Sequence, residues 1–204
     1  AGAAEFSVRV EPGNTEIEKG TSLLVVARFE GNVPPDARLV IGDGQAPGAQ
    51  RLLTRSLEDP TFAGRVEDVE SDLTYHVEFA GQSSDKFAVK VFEYPELRRA
   101  DAKLAFPGYT GQKPRNVDDV RHVTAIEGTD LTLLFRLNKD VAEAQLVDEK
   151  GRVTNLSADT NIGPHVYATA LKLSDTHRYK LKLRDADGRA AKQATEIAVN
   201  VTRN

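Results

Sequence analysis

Chemistry in a chain without cysteine has to come from histidines, carboxylates, hydroxyls or glycine-rich turns, and this chain has no cysteine. Disulfides, zinc–thiolate centres and a cysteine nucleophile are thereby excluded. The four histidines are His76, His122, His165 and His177, and no two stand at the spacing that sets two metal ligands on one face of a strand or helix. His76 lies between Tyr75 and Val77 in an alternating run, so it is expected on the solvated face. Asp185-Ala186-Asp187-Gly188 resembles the start of a calcium loop. With Gly188 at the sixth loop position, however, the first would be Leu183 and the twelfth Ala194, and neither can ligate. Asp-Gly there reads as a hairpin turn. Gly42-Asp43-Gly44-Gln45-Ala46-Pro47-Gly48 lacks the dinucleotide spacing, and no helix pattern follows to hold a phosphate. A G-x-S-x-G elbow is missing as well. The paired acids Asp118-Asp119 and Asp148-Glu149 fall in turns or loops. The sequence therefore nominates no catalytic residue, no metal ligand and no cofactor site, and the chain reads as a non-enzyme.

Two aromatic residues remain as candidates for binding. Phe106 and Tyr109 flank Pro107-Gly108, and exposed together they would offer a stacking platform for a sugar ring. The competing reading has Pro107-Gly108 bending a strand while the rings pack on the core. Asn155-Leu156-Ser157 and Asn200-Val201-Thr202 match the glycosylation sequon, which acts only in a eukaryotic secretory setting.

The elements that position these residues come in two copies. Ile17 to Phe29 (IEKGTSLLVVARF) is nearly repeated by Ile126 to Leu137 (IEGTDLTLLFRL), with Gly20-Thr21 falling on Gly128-Thr129 and Arg28 on Arg136. Ala37-Arg38-Leu39-Val40 returns as Ala144-Gln145-Leu146-Val147. Tyr75, Val77 and Phe79 return as Tyr179, Leu181 and Leu183, and Phe87, Val89 and Val91 as Ile197, Val199 and Val201. Each copy has about seven runs with period-two alternation, separated by Gly, Pro, Asp or Asn. No window shows helical recurrence. Short strands at such spacing define a β-sandwich rather than βαβ units. The expected fold is all-β, one domain made twice, with domains at 1–95 and 96–204. A charged, proline-led linker at about 95–101 joins them. It is short enough to keep the domains close neighbours. The strand of the second domain is expected to start near Lys103.

Charge excludes one partner class. The net charge is −4, divided as −7 over residues 1–95 and +3 over 96–204. Neither half is basic enough to suggest nucleic-acid binding, which calls for clustered Lys/Arg and a high pI. No apolar run of 18 residues is present, so nothing in this segment spans a membrane as a helix. The start AGAAEFSV, with no methionine, reads as a processed or excised piece of a longer protein.

Tyr75 and Tyr179 each stand six residues after an apolar strand end (Val69, Leu173) and open an alternating strand. This resembles the tyrosine corner of immunoglobulin-like and fibronectin type III sandwiches, whose ring caps the core while the hydroxyl bonds backbone a few residues upstream. Phe106-Pro107-Gly108-Tyr109-Thr110-Gly111 followed by Glu127-Gly128-Thr129 resembles tandem Ig-like segments of large, membrane-anchored bacterial envelope proteins. That resemblance implies a spacer or protein-interaction segment of an extracytoplasmic protein, periplasmic or at the cell surface. Its partners would be other domains of the parent chain or envelope proteins. A carbohydrate-binding module using Phe106 and Tyr109 is the alternative.

Overall fold

The computed structural model describes residues 5–203, and among them there is no α-helix. Two compact units divide the chain, residues 1–93 and residues 94–204. The first contains β1 (Ser7–Glu11), β2 (Thr15–Glu18), β3 (Thr21–Glu30), β4 (Arg38–Ile41), β5 (Gln50–Leu52), β6 (Thr54–Arg55), β7 (Thr61–Val69), β8 (Leu73–Phe79), β9 (Gln82–Ser83) and β10 (Phe87–Phe92). The second contains β11 (Leu97–Ala105), β12 (Arg115–Val117), β13 (His122–Ile126), β14 (Asp130–Leu137), β15 (Glu143–Val147), β16 (Val153–Asn155), β17 (Ser157–Ala158), β18 (Val166–Lys172), β19 (His177–Arg184) and β20 (Thr195–Thr202).

Each unit is a sandwich of two sheets. In the first, β1-β3-β7-β6 faces β2-β10-β8-β4-β5, with β9 added beside β8. In the second, β12-β11-β14-β18-β17 faces β13-β20-β19-β15-β16. The opening segment changes sheet in both. β1 runs antiparallel to β3, with Val8 opposite Phe29; after Pro12-Gly13 the chain crosses, and β2 runs parallel to β10. β11 likewise pairs antiparallel with β14, and β13 parallel with β20. The fold is two tandem Ig-like sandwiches.

The duplication is visible in single hydrogen bonds. Gly20 N–H donates to Val69 O at 2.8 Å, and Gly128 N–H donates to Leu173 O at 2.8 Å. Lys19 N–H reaches Phe92 O and Glu127 N–H reaches Thr202 O, both at 2.9 Å. Gly20 and Gly128 have φ of 81° and 87°, a left-handed conformation that glycine adopts without steric cost. The following hydroxyls, Thr21 and Thr129, donate to the carbonyls of Glu18 and Ile126 at 2.6 and 2.7 Å. In each copy a residue of equivalent position also caps the last strand. The Asp72 carboxylate accepts from Val91 N–H, and the Thr176 hydroxyl from Val201 N–H.

Several sequence expectations change. Residues 97–101, read as linker, are strand: β11 starts at Leu97, not near Lys103. Their charges obscured the alternation, because Ala100 and Ala102 face the core while Asp101 is buried on the opposite face by ion pairing. Asn138 fastens the entering chain: its Oδ1 accepts from Glu96 N–H and its Nδ2 donates to Tyr94 O, at 2.7 and 2.8 Å. The run Leu52 to Leu57 is also broken, since β5 and β6 lie in different sheets. His76 is buried, at 8% exposure, rather than solvated. Its register partner Val40 on the same outer face is buried too, beneath the β4–β5 loop, where a Cβ on Gly44 would come 3.0 Å from Val40 Cγ1.

The two cores share positions and differ in residue type. In the first, Phe6, Phe29, Phe62 and Phe79 pack edge to face with centroids 5.0–6.4 Å apart, a geometry worth roughly 0.5–1.5 kcal/mol per pair beyond area burial. In the second, Leu137 and Leu183 occupy the places of Phe29 and Phe79, and Tyr167 that of Phe62.

Leu53, at the crossing between β5 and β6, inserts into the first core opposite Gly64, where a Cβ would fall 2.5 Å from Leu53 Cδ2. Gly64→Ala overpacks this site and is expected to destabilise by about 1–3 kcal/mol in urea unfolding. In the Leu53→Ala background the same substitution should add much less. An equal cost in both backgrounds would place the effect elsewhere.

Candidate functional site

The residues nominated by the sequence are spread over the molecule. Tyr75, on β8, is 1% exposed, and its hydroxyl donates to Gly13 O at 2.9 Å. That partner is 62 residues upstream, in the segment where the chain crosses between sheets, not a few residues away as the corner resemblance implies. The ring lies 5.5 Å from Phe87. Burial raises the Tyr75 pKa, and the bond to Gly13 only partly offsets it.

Tyr179 is also buried, but its hydroxyl makes no hydrogen bond among the described residues. Its ring lies 5.6 Å from His177. Burial, then the nearby Asp148 and Glu149 carboxylates, raise its pKa. In the second unit a different tyrosine makes a backbone tie at a different place: the hydroxyl of Tyr167, on β18, accepts from Val141 N–H at 3.0 Å and donates to Val141 O at 3.2 Å, in the β14–β15 loop. Tyr167 carried no pattern that singled it out, because it sits where the first copy has phenylalanine.

Phe106 and Tyr109 do not share a surface. Phe106 packs against the second core, while Tyr109 is 69% exposed on the 3-10 turn Gly108–Thr110. Pro107 lies against the β13–β14 turn, where a Cβ on Gly128 would meet it at 3.3 Å. The Thr110 hydroxyl closes the turn on Pro107 O at 2.7 Å.

The buried charges of the second unit serve its turns and strands. Asp148-Glu149-Lys150-Gly151-Arg152 and Asp185-Ala186-Asp187-Gly188-Arg189 are the same turn used twice. In each, Asp Oδ1 accepts from the N–H two and four residues on, at 2.8–3.0 Å, and glycine takes the left-handed position. The D-x-x-G-R spelling, 37 residues apart, was the available signal. Asp185 also accepts from Lys139 Nζ at 3.0 Å. On the outer face of β11, the Asp101 carboxylate accepts from Asp119 N–H and from Arg99 and Arg136 at 3.0 Å.

The histidines pair with carboxylates: His76 with Glu78 at 3.1 Å, His165 with Asp140 at 2.7 Å, and His177 with Glu149 at 3.0 Å. His122 Nε2 meets Asn200 at 2.6 Å. Among the described residues no hydroxyl is bonded to these rings as a nucleophile would be. No group of three or more His, Asp or Glu among them is placed to hold a metal ion.

The two sandwiches with their crossing strands define a tandem pair of Ig-like domains. No family model matches the chain, and no curated protein does. Solved structures similar to it include tandem Ig repeats of Dlar, at 13% identity, covering 97% of this chain and 98% of that one, with a TM-score of 0.34. The I9–I11 tandem from titin is similar at 6% identity, covering 97% and 100%, with a TM-score of 0.32. The D1–D4 ectodomain fragment of ICAM-5 is similar at 8%, covering 97% and 78%, with a TM-score of 0.30.

Two outcomes follow from the side-chain geometry. Tyr75→Phe removes a buried hydrogen bond and is expected to destabilise the first unit by about 1 kcal/mol. Tyr179→Phe should fall well below that. A larger loss for Tyr179 than for Tyr75 contradicts the bonding described, and residue-resolved hydrogen exchange separates the two units.

The second outcome concerns acid. Burial opposes ionisation of Asp101 and Asp185, but bonds to them outweigh it and hold both carboxyls below the ordinary range. Those bonds come from Asp119 N–H, Arg136 and Arg99 for the first, and from Arg189 N–H and Lys139 for the second. Asp148 is likewise lowered, with burial opposed by the Arg152 and Lys150 amides. A depressed carboxyl contributes stability above its unfolded pKa of about 3.9 and loses it as pH falls through the folded value. All three lie in the second unit, so exchange protection there should fall more steeply than in the first as pH drops below about 4. Asp185→Asn should flatten that difference, and equal acid sensitivity of both units would refute it.

Proposed function

We propose that this tandem pair is a non-catalytic spacer or protein-interaction segment of a larger extracytoplasmic bacterial protein, with domains at about 1–95 and 96–204. The observation that carries this reading is where the polar groups go. Asp101, Asp148 and Asp185 are taken up by their own turns and strand neighbours, and each histidine by an adjacent polar side chain. Functional differences between the copies are then left to the surface. One such difference is an insertion. Three residues link β1 to β2, whereas residues 106–121 link β11 to β13 and bring β12 and the exposed Tyr109. Ordered loops that add little to a core are common carriers of recognition.

Tyr109 also supports a second reading, a carbohydrate site, although Phe106 is not beside it as a partner ring. A glycan screen and chemical crosslinking to envelope proteins discriminate the two. The interaction reading expects crosslinked protein partners and no defined glycan ligand. Saturable binding of one glycan, abolished by Tyr109→Ala, would replace it with the carbohydrate reading.

A further inference from the structure

The second unit carries a row of cations that its duplicate lacks. Along β19, Arg178, Lys180, Lys182 and Arg184 are exposed while Tyr179, Leu181 and Leu183 between them are buried. All four therefore stand on the solvent face of one strand. At roughly 3.3–3.4 Å per residue they are spaced by about 6.6–6.8 Å and span about 20 Å. That spacing is shorter than the screening length of about 8 Å at physiological salt, so their fields add.

Their neighbours on the same face compensate the row only in part. Across β15 the register partners are Val147 for Lys180, Gln145 for Lys182 and Glu143 for Arg184; across β20 they are Ala198 for Arg178 and Glu196 for Lys180. Arg184 approaches Glu143 at 3.7 Å, and Glu149 accepts from the Arg178 backbone N–H at 3.2 Å. Among the described residues, the side chains of Arg178, Lys180 and Lys182 form no ion pair within 4 Å.

The fold does not require this row. Lysine is depleted in strands and like charges along one face repel. Lysines often guard an open sheet edge, but β19 is flanked by β20 and β15 and has no open edge. The matching positions on β8 are Thr74, His76 and Glu78, so the first copy builds the same strand without it.

We propose that the outer face of β19 is a docking surface for an extended acidic segment of another protein, one with Asp or Glu at every second residue. Such a segment presents its carboxylates at the same period of two residues as the row of cations, so charges meet in register at Arg178, Lys180 and Lys182, while Arg184 is held by Glu143 and Gly188 O. Gln145 flanks the row beside Lys182, hydrogen-bonded to Asn155 behind it on β16. The large exposed apolar side chains of the chain include a ring at Tyr109 but none on β19, which disfavours single-stranded nucleic acid, where bases stack on aromatic platforms. This inference rests on the protein-interaction reading and names its surface.

The test is an NMR titration of the isotope-labelled 204-residue chain with a ten-residue peptide alternating Thr and Glu. A block peptide of the same composition, a sulfated polysaccharide and a single-stranded oligonucleotide serve as comparators. The alternating peptide is expected to shift amides 178–184 and their neighbours in β15 and β20 saturably, with a Kd about fivefold or more below that of the block peptide. Lys180→Gln combined with Lys182→Gln changes only exposed side chains and should weaken binding about tenfold while leaving the remaining spectrum in place. Equal affinity for both peptides, unmoved β19 amides, or binding undiminished by the double substitution overturns the proposal. So does preference for the polysaccharide or the oligonucleotide. If β19 stays silent while crosslinking finds a protein partner at another surface, only this docking site is lost and the interaction reading stands.

Discussion

Everything in both domains hangs on a turn that only glycine makes easily. At Gly20 and Gly128 the chain adopts a left-handed φ, which turns a short edge strand back into the long central one. Three short bonds then meet at that corner. The glycine N–H reaches the end of β7 or the residue just after β18, the preceding N–H reaches the last strand, and the threonine hydroxyl locks the turn onto a carbonyl three residues back. Because those partners lie in different sheets, the turn fixes how the two layers are registered, and the core residues follow. A side chain at either glycine would strain the backbone at the point where three strands are tied together.

The core obeys that frame without copying it. The first domain fills it with phenylalanine rings edge to face, the second mainly with leucines around Phe135, Tyr167 and Tyr179. Hydrophobic residues of suitable size at the same pleat positions suffice for the fold, and their exact shapes have drifted. The polar parts have drifted further. The first domain has an exposed Asp-capped turn at Asp43, but the buried carboxylates Asp101, Asp148 and Asp185 lie in the second, where pairing and hydrogen bonds make burial of charge tolerable.

How much of this was legible from the amino acids depended on whether the information was local. The Gly-Thr turns, the alternation through Tyr75 and Tyr179 and the duplicated strand order all repeat in short windows, and they were read directly. Leu97 to Asp101 hid a strand because Arg98, Arg99 and Asp101 look solvated until Arg99 and Arg136 converge on one carboxylate. His76 looked exposed because nothing near it in the chain shows that the β4–β5 loop returns over Val40. Periodicity predicted that Tyr75 and Tyr179 are buried and said nothing of what their hydroxyls meet. Gly13 lies 62 residues from Tyr75, and in the second copy the bonding tyrosine is Tyr167. The cation row is spelled R-x-K-x-K-x-R in the sequence, but only the central place of its strand in the sheet gives it meaning.

The divergence of the two cores also bears on how such a chain comes off the ribosome. Adjacent domains with one topology are prone to exchange strands before either has closed, a characteristic failure of repeated architectures. Here a strand from the wrong copy would be a poor fit. Leu137 or Leu183 in place of Phe29 or Phe79 would leave voids, and Phe135 in place of Ala27 would overfill the first core. Each nascent strand is thus matched in volume to its own half of the chain. Unlike interiors of this kind disfavour a strand seated in the wrong copy.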